Sequence, residues 1–185
     1  MRSNARRRFN RLVIAALTVA AIASIPSSAH AASGCARASD LPAQLNAPKL
    51  RATTLCALNE QRRAHGVRPL RSGDKLVTAA RRHSRAMVAK KFFAHDSLSG
   101  ASFSSRIART GWMRGRNGWS VGENLAWGSG ARSTPDATVA AWMASPLHRR
   151  NILDPRFRVI GIGIAMGVPV AGGAAGATYT TDFGS

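Results

Sequence analysis

This chain has little acid to set against its base. Eight Asp and Glu face 27 Lys and Arg in 185 residues, a formal net charge of +19. Paired catalytic carboxylates of the kind that cleave glycosides therefore have little to draw on. Glu123, Asp96 and Asp136 are the plausible acids, and Asp136 is better explained as helix-start chemistry. Cysteine is scarcer still. There are two, Cys35 and Cys56, and no CxxC, which argues against a dithiol redox enzyme. No HExxH, GxSxG, P-loop or paired Cys ligand set is present. Gly161-Ile162-Gly163 resembles a nucleotide loop only superficially, because it lies in an apolar strand-like run and opens no helix. Long apolar runs are missing too. The longest, Leu12 to Ile25, falls short of the roughly 20 residues a bilayer requires.

That run carries a different message. Arg2, Arg6, Arg7, Arg8 and Arg11 precede it, and Ala29-His30-Ala31 follows with small residues. The pattern predicts a secretory signal peptide over residues 1–31, cut after Ala31. The remaining chain suits one domain with room for a real core. Cleavage would remove five of the 27 basic residues and no acid, leaving a net charge of +14. An exported protein rarely meets nucleic acid. Wall-associated phosphate polymers, anionic lipid head groups and acidic glycans are the expected partners, through a field that salt screens. An even cysteine count in an exported chain predicts a Cys35–Cys56 disulfide. It would tether an irregular segment, residues 32–50, to the first helix, stabilising by roughly 3 kcal/mol in the chain-entropy model.

Local signals then partition the chain. Either Thr53 or Thr54 caps a helix to about Ala64, closed by Gly66, with His65 solvated or structural in its last turn. A second helix spans about Asp74 to Lys90, with Leu76, Ala79, Ala80, His83 and Met87 at helical spacing. His83 on that stripe reads as a hydrogen-bonded core histidine rather than a ligand. A short helix covers Phe103 to Arg109, and a turn-rich connection leads to Trp119–Trp127, read as partly extended. Thr134-Pro135-Asp136 starts another helix, ending near Ser145-Pro146. One or two further turns follow His148. Strands are expected at 158–165 and 177–183, joined by a Gly/Ala-rich hairpin loop.

Three motifs stand out: Phe93-Ala94-His95-Asp96-Ser97, Val121-Gly122-Glu123-Asn124-Leu125 and Ser145-Pro146-Leu147-His148-Arg149-Arg150-Asn151. Each reads as a packed corner. Two imidazoles and a carboxylate could hold Zn²⁺ with an open fourth position. Without a metal, the carboxylate would fix an imidazole tautomer. The spacings encode no local geometry, and a purely structural role for the trio is the third reading.

In order along the chain, Leu55-Cys56-Ala57-Leu58-Asn59-Glu60-Gln61-Arg62, Phe93-Ala94-His95, Gly122-Glu123-Asn124-Leu125, Ala141-Trp142-Met143-Ala144-Ser145-Pro146-Leu147-His148-Arg149 and Gly161-Ile162-Gly163 resemble the CAP superfamily, or SCP-like domains, in its short bacterial secreted form. The resemblance covers about residues 50–185, with the domain placed at 51–185. It implies an α+β fold, a three-layer α-β-α sandwich, in a single domain. It also implies a cleft with two histidines and two glutamates that in some members binds zinc or another divalent ion. His95 and His148 match the histidines and Glu123 the first glutamate. The second glutamate is expected near Trp142, where this chain has Ala144-Ser145. A serine hydroxyl cannot supply a carboxylate charge or a strong base. The high positive charge, the expected export and the missing second glutamate lead us to expect a secreted, non-catalytic binding module at the wall or envelope. The alternatives are a metal-dependent hydrolase with Glu123 as base or ligand, and a lipid-binding protein with Val168-Pro169-Val170-Ala171 lining a groove.

Overall fold

Alternating isoleucine and glycine in one strand determines how the layers stack. The computed structural model describes residues 34–185; the expected export signal, residues 1–31, lies outside them. Strand β3 (Val159–Met166) runs Val-Ile-Gly-Ile-Gly-Ile-Ala-Met. Side chains alternate across a strand, so its isoleucines and glycines face opposite ways. Ile160 and Ile162 enter the main core with Leu58, Trp142, Ile152, Phe157, Tyr179 and Phe183. Gly161 and Gly163 face helix α2 (Asp74–Lys90). A Cβ built on Gly161 would lie 2.0 Å from the Leu76 carbonyl carbon, and one on Gly163 2.1 Å from that of Ala80. The helix therefore rests on bare backbone. Ser84 fastens it, its Oγ donating to Gly163 O at 3.0 Å and pairing with Thr180 Oγ1 at 2.8 Å.

The sheet has four strands in the order β1-β3-β4-β2. β1 (Arg71–Ser72) pairs parallel to β3. β4 (Gly176–Gly184) pairs antiparallel with β3 on one side and with β2 (Val121–Ser129) on the other. Helix α3 (Phe103–Arg109) packs near α2, with Leu76, Ala79, Ile107 and Trp112 forming a second core. Helices α1 (Ala47–Ala64), α4 (Pro135–Ala144) and α5 (Pro146–Leu153) pack together around the main core. The result is a mixed α+β fold built on a single sheet.

Helix α1 begins earlier than its sequence suggested. Asn46 caps it, accepting from Lys49 N at 2.9 Å, and Pro48 sits inside the first turn. Proline costs nothing there, since the first-turn N–H groups have no helical partner. Thr53 and Thr54 are buried mid-helix, and the Thr54 hydroxyl donates back to Leu50 O. Part of the segment expected to be irregular is therefore helical, including a short 3₁₀ turn at Pro42–Gln44. Cys35 and Cys56 are joined, with Cα atoms 5.8 Å apart.

Arg62, fully buried, binds α1 to the chain leaving α5. Its guanidinium donates to Arg68 O, Ile152 O, Asp154 O and Phe157 O at 2.5–3.2 Å. At the end of the sheet, two β2 carbonyls accept side-chain donors from the neighbouring helices. Trp142 Nε1 reaches Leu125 O at 2.9 Å, and Asn151 Nδ2 reaches Glu123 O at 3.2 Å. No helix among the described residues is long and apolar enough to cross a membrane.

Candidate functional site

Glu123 is the centre of the site because its strand buries it. It lies on β2 directly opposite Asp182 of β4. Glu123 is 4% exposed and Asp182 1%. Burying a carboxylate demands compensation. Arg106 of α3 supplies it, with Nη2 2.5 Å from Glu123 Oε2. His95 takes the other oxygen, its Nδ1 2.8 Å from Oε1. Both carboxylate oxygens are thus engaged. Arg106 Nη1 also donates to His95 O at 2.6 Å, so one guanidinium fixes the acid and the backbone of its imidazole partner. The His95 ring meets Phe103 edge-on.

His148 enters from the third residue of α5. Its carbonyl accepts Asn124 Nδ2 at 3.0 Å, and Asn124 Oδ1 accepts Asn151 Nδ2 at 2.8 Å. This amide pair, a buried Asn124 and a half-buried Asn151, holds α5 against β2. The two histidines sense each other electrostatically but differ in character. The bond to Glu123 raises the His95 pKa against an opposing desolvation. Burial, and then the charge on His95, lower that of His148. His95 therefore favours the charged form and His148 the neutral one.

These directions fix a pH dependence. Stability contributed by His95 is complete below the ordinary imidazole value of about 6.5 and lost as pH rises through its raised folded value. That from His148 is complete above about 6.5 and lost as pH falls through its lowered one. Histidine NMR titration is expected to find His95 above and His148 below that value, with Glu123→Gln bringing His95 down. Coincident titrations would contradict this arrangement.

Sequence reasoning missed two members of the site. Arg106, on the short helix α3, drew no attention in the sequence, yet it is 8% exposed. Asp182 was visible as a lone acid among threonines and aromatics of β4. Neither of its oxygens makes a well-formed hydrogen bond, although its carboxyl faces Glu123 closely enough for the protonated form to donate to that carboxylate. Burial, then the charge of Glu123, push its pKa well above the carboxylate range, so it favours the neutral form. The second carboxyl beside Glu123 thus comes from β4, not from the helix near Trp142. Ser145 is the joint between α4 and α5. Its N–H bonds Trp142 O, and its carbonyl accepts Arg149 N at 2.8 Å.

The residues fit a three-ligand metal centre poorly. Glu123 is buried with one oxygen on Arg106 and the other on His95, and His95 spends Nδ1 on it. Among the described residues, only Cys35, Cys56 and Glu60 bring potential ligand atoms of three residues within 4.8 Å of one another, and the two sulfurs there form the disulfide. His95 Nε2 and the His148 ring remain as donors, with Glu123 orienting one imidazole, as carboxylates do behind metal-bound histidines. The groove expected at Val168–Ala171 also differs: Val168 and Pro169 are buried. An apolar hollow of about 440 Å³ instead lies beside that loop, lined by Leu41, Pro42, Met166 and Gly167 among others.

Comparison with known proteins adds a frame. Residues 55–169 match the family described as "CAP: Cysteine-rich secretory protein family". Over 105 residues the chain is 36% identical to "Uncharacterized protein YkwD" of Bacillus subtilis (strain 168), a match covering 57% of this chain and 38% of that protein. Similar solved structures include an extracellular SCP-domain protein of Bacillus anthracis, at a TM-score of 0.58 and 24% identity, covering 75% of this chain and 43% of that one. An outer surface protein of Borrelia burgdorferi superposes at a TM-score of 0.61 and 18% identity, covering 76% of this chain and 96% of that one. At these identities the structures establish the likeness of fold.

Proposed function

This chain belongs to the cysteine-rich secretory protein (CAP) family, and from that premise we propose that it is an exported, non-catalytic binding module working outside the cell at the wall or envelope. The observation that carries the reading is that Glu123 is buried with each of its oxygens already in an ion pair. General-base or ligand chemistry requires an available lone pair within reach of a reactant. Here the acid is buried, with Arg106 on one oxygen and His95 on the other. What the surface offers instead is positive charge. Arg82, Arg85, Lys90, Lys91 and Arg109 are exposed, and the ion pairs among the described residues engage none of them. The 1–31 segment, the disulfide and relatives described as extracellular or outer-surface proteins support export.

Attraction to anionic wall polymers, acidic glycans or lipid head groups weakens as salt shortens the screening length from about 30 Å at 0.01 M to about 3 Å at 1 M. Isolated envelopes are expected to retain the protein at about 0.01 M salt and release it near 1 M. No retention at the low-salt end would end this reading.

A metal-dependent hydrolase is the second reading, favoured by one feature: His95 Nε2 stays available on a half-exposed ring near His148. In it, His95 Nε2 and the His148 ring would hold a divalent ion that supplies Lewis-acid chemistry, and Glu123 would hold the His95 imidazole. Metal-loaded protein without turnover, indistinguishable from Glu123→Gln, would remove it.

A further inference from the structure

Arg106 has a second side. Its Nη atoms serve Glu123 and the loop after α2, but its Nε is buried and has no hydrogen-bond partner. His83 presents the same anomaly. It is 1% exposed, and its Nε2 meets Ala94 O at 2.9 Å, which makes Nε2 the N–H donor. Nδ1 then carries a lone pair, and it has no partner either. Buried polar atoms rarely stay unpaired, because each costs roughly 1–3 kcal/mol. Both residues line the same hollow between α2 and α3, about 270 Å³ in volume. Arg82, Lys90, Ser97 and Arg109 complete its polar rim.

No acid lines this hollow. Arg82, Lys90 and Arg109 are exposed, and none has an ion-pair or hydrogen-bond partner among the described residues. Arg82 and Arg109 also border an adjoining hollow, where Asp74 is accompanied by Lys75. The lining is therefore cationic at the rim, with one buried N–H donor and one buried acceptor behind it. Guanidinium groups suit tetrahedral oxyanions through paired N–H donors.

We propose that this hollow is a binding site for a phosphate group that carries or adjoins a hydroxyl. The unpaired Arg106 Nε–H would donate to a phosphate oxygen, and Arg82, Lys90 and Arg109 would neutralise the charge. The hydroxyl would donate to His83 Nδ1. That acceptor decides the chemical class. Sulfate and simple carboxylates, ionised at neutral pH, have no proton to offer it. Hydrogen phosphate does, and a glycerol phosphate unit offers a free hydroxyl. Burial, then the charge of Arg106, keep the His83 ring neutral, in keeping with its acceptor role. The site stands whether or not the protein binds envelopes.

The test is ¹⁵N NMR on the whole protein at constant ionic strength, with inorganic phosphate, glycerol 3-phosphate and sulfate as separate probes. Saturable shifts at Arg106 Nε and His83 Nδ1 are expected with both phosphates, and with sulfate little or none at His83 Nδ1. Arg82→Gln and Arg109→Gln, both at exposed positions, are each expected to weaken phosphate binding roughly tenfold while keeping the native spectrum. Tighter binding of glycerol 3-phosphate would mark a phosphate ester as the natural source, and tighter binding of inorganic phosphate the free ion. The site is refuted if neither phosphate gives saturable shifts, if sulfate matches phosphate at His83 Nδ1, or if both variants bind as the wild type does.

Discussion

Arg106→Met is expected to destabilise the protein by about 3–5 kcal/mol, the range for stranding one partner of a buried ion pair. At 2–4 °C per kcal/mol for a domain of this size, Tm should fall by roughly 6–20 °C. Methionine matches the length of the aliphatic stem, so the loss is electrostatic rather than steric. It leaves Glu123 4% exposed, with only His95 and the neutral Asp182 opposite for compensation. The carbonyls of His95 and Ala101 lose a donor at the same time. Thermal melts of wild type, Arg106→Met, Glu123→Gln and the double variant separate these contributions. If the stranded charge dominates, adding Glu123→Gln to Arg106→Met restores more than half of the loss. A double variant no better than the single one would assign the damage to the loop carbonyls instead.

Gly163→Ala should be at least as damaging as removing a large core side chain, although it adds a single methyl group. The new Cβ would sit 2.1 Å from the Ala80 carbonyl carbon and 2.3 Å from Arg81 N. Those are backbone atoms in the middle of α2, so no rotamer change relieves the clash. The helix must lift, opening the Ser84 bonds to Gly163 O and Thr180 Oγ1. Overpacking of a well-packed core costs about 1–3 kcal/mol and sometimes more; with a rigid helix as the obstacle, about 3 kcal/mol or more is expected. Ile162→Val, one residue away on the other face, should cost only about 0.5–1.5 kcal/mol. Denaturant titration of the pair measures the contrast. Equal losses would show that α2 does not rest on the β3 backbone.

The same strand shows where sequence reasoning reaches. The run around Ile160–Ile164 announced a buried strand, and the family resemblance supplied the layers. The apolar spacing of α2 and the Thr134-Pro135-Asp136 start of α4 are local signals, and they place those helices well. The α1 start was missed because Pro48 was read as a breaker when first-turn geometry tolerates it. β1 is two exposed residues long and has no pattern to detect. At the site, the sequence offered His95, Glu123 and His148 as side-chain types in suggestive motifs. It could not show that Arg106 turns inward or that Asp182 faces Glu123. Both depend on strand register and helix placement, which arise only when distant segments meet. Ser145 stands where the resemblance led us to expect a second acid, and a second carboxyl, Asp182, lies opposite Glu123 on β4.

The bonds from Trp142 and Asn151 to the carbonyls of β2 have a consequence beyond anchoring helices. β2 ends the sheet, and a terminal strand presents main-chain acceptors that another copy could adopt as a template for edge-to-edge growth. Two of those acceptors, in the middle of the strand, are already occupied by side chains of the same molecule. The helices that complete the fold thereby also discourage fibre formation, leaving an approaching copy little continuous ladder to extend.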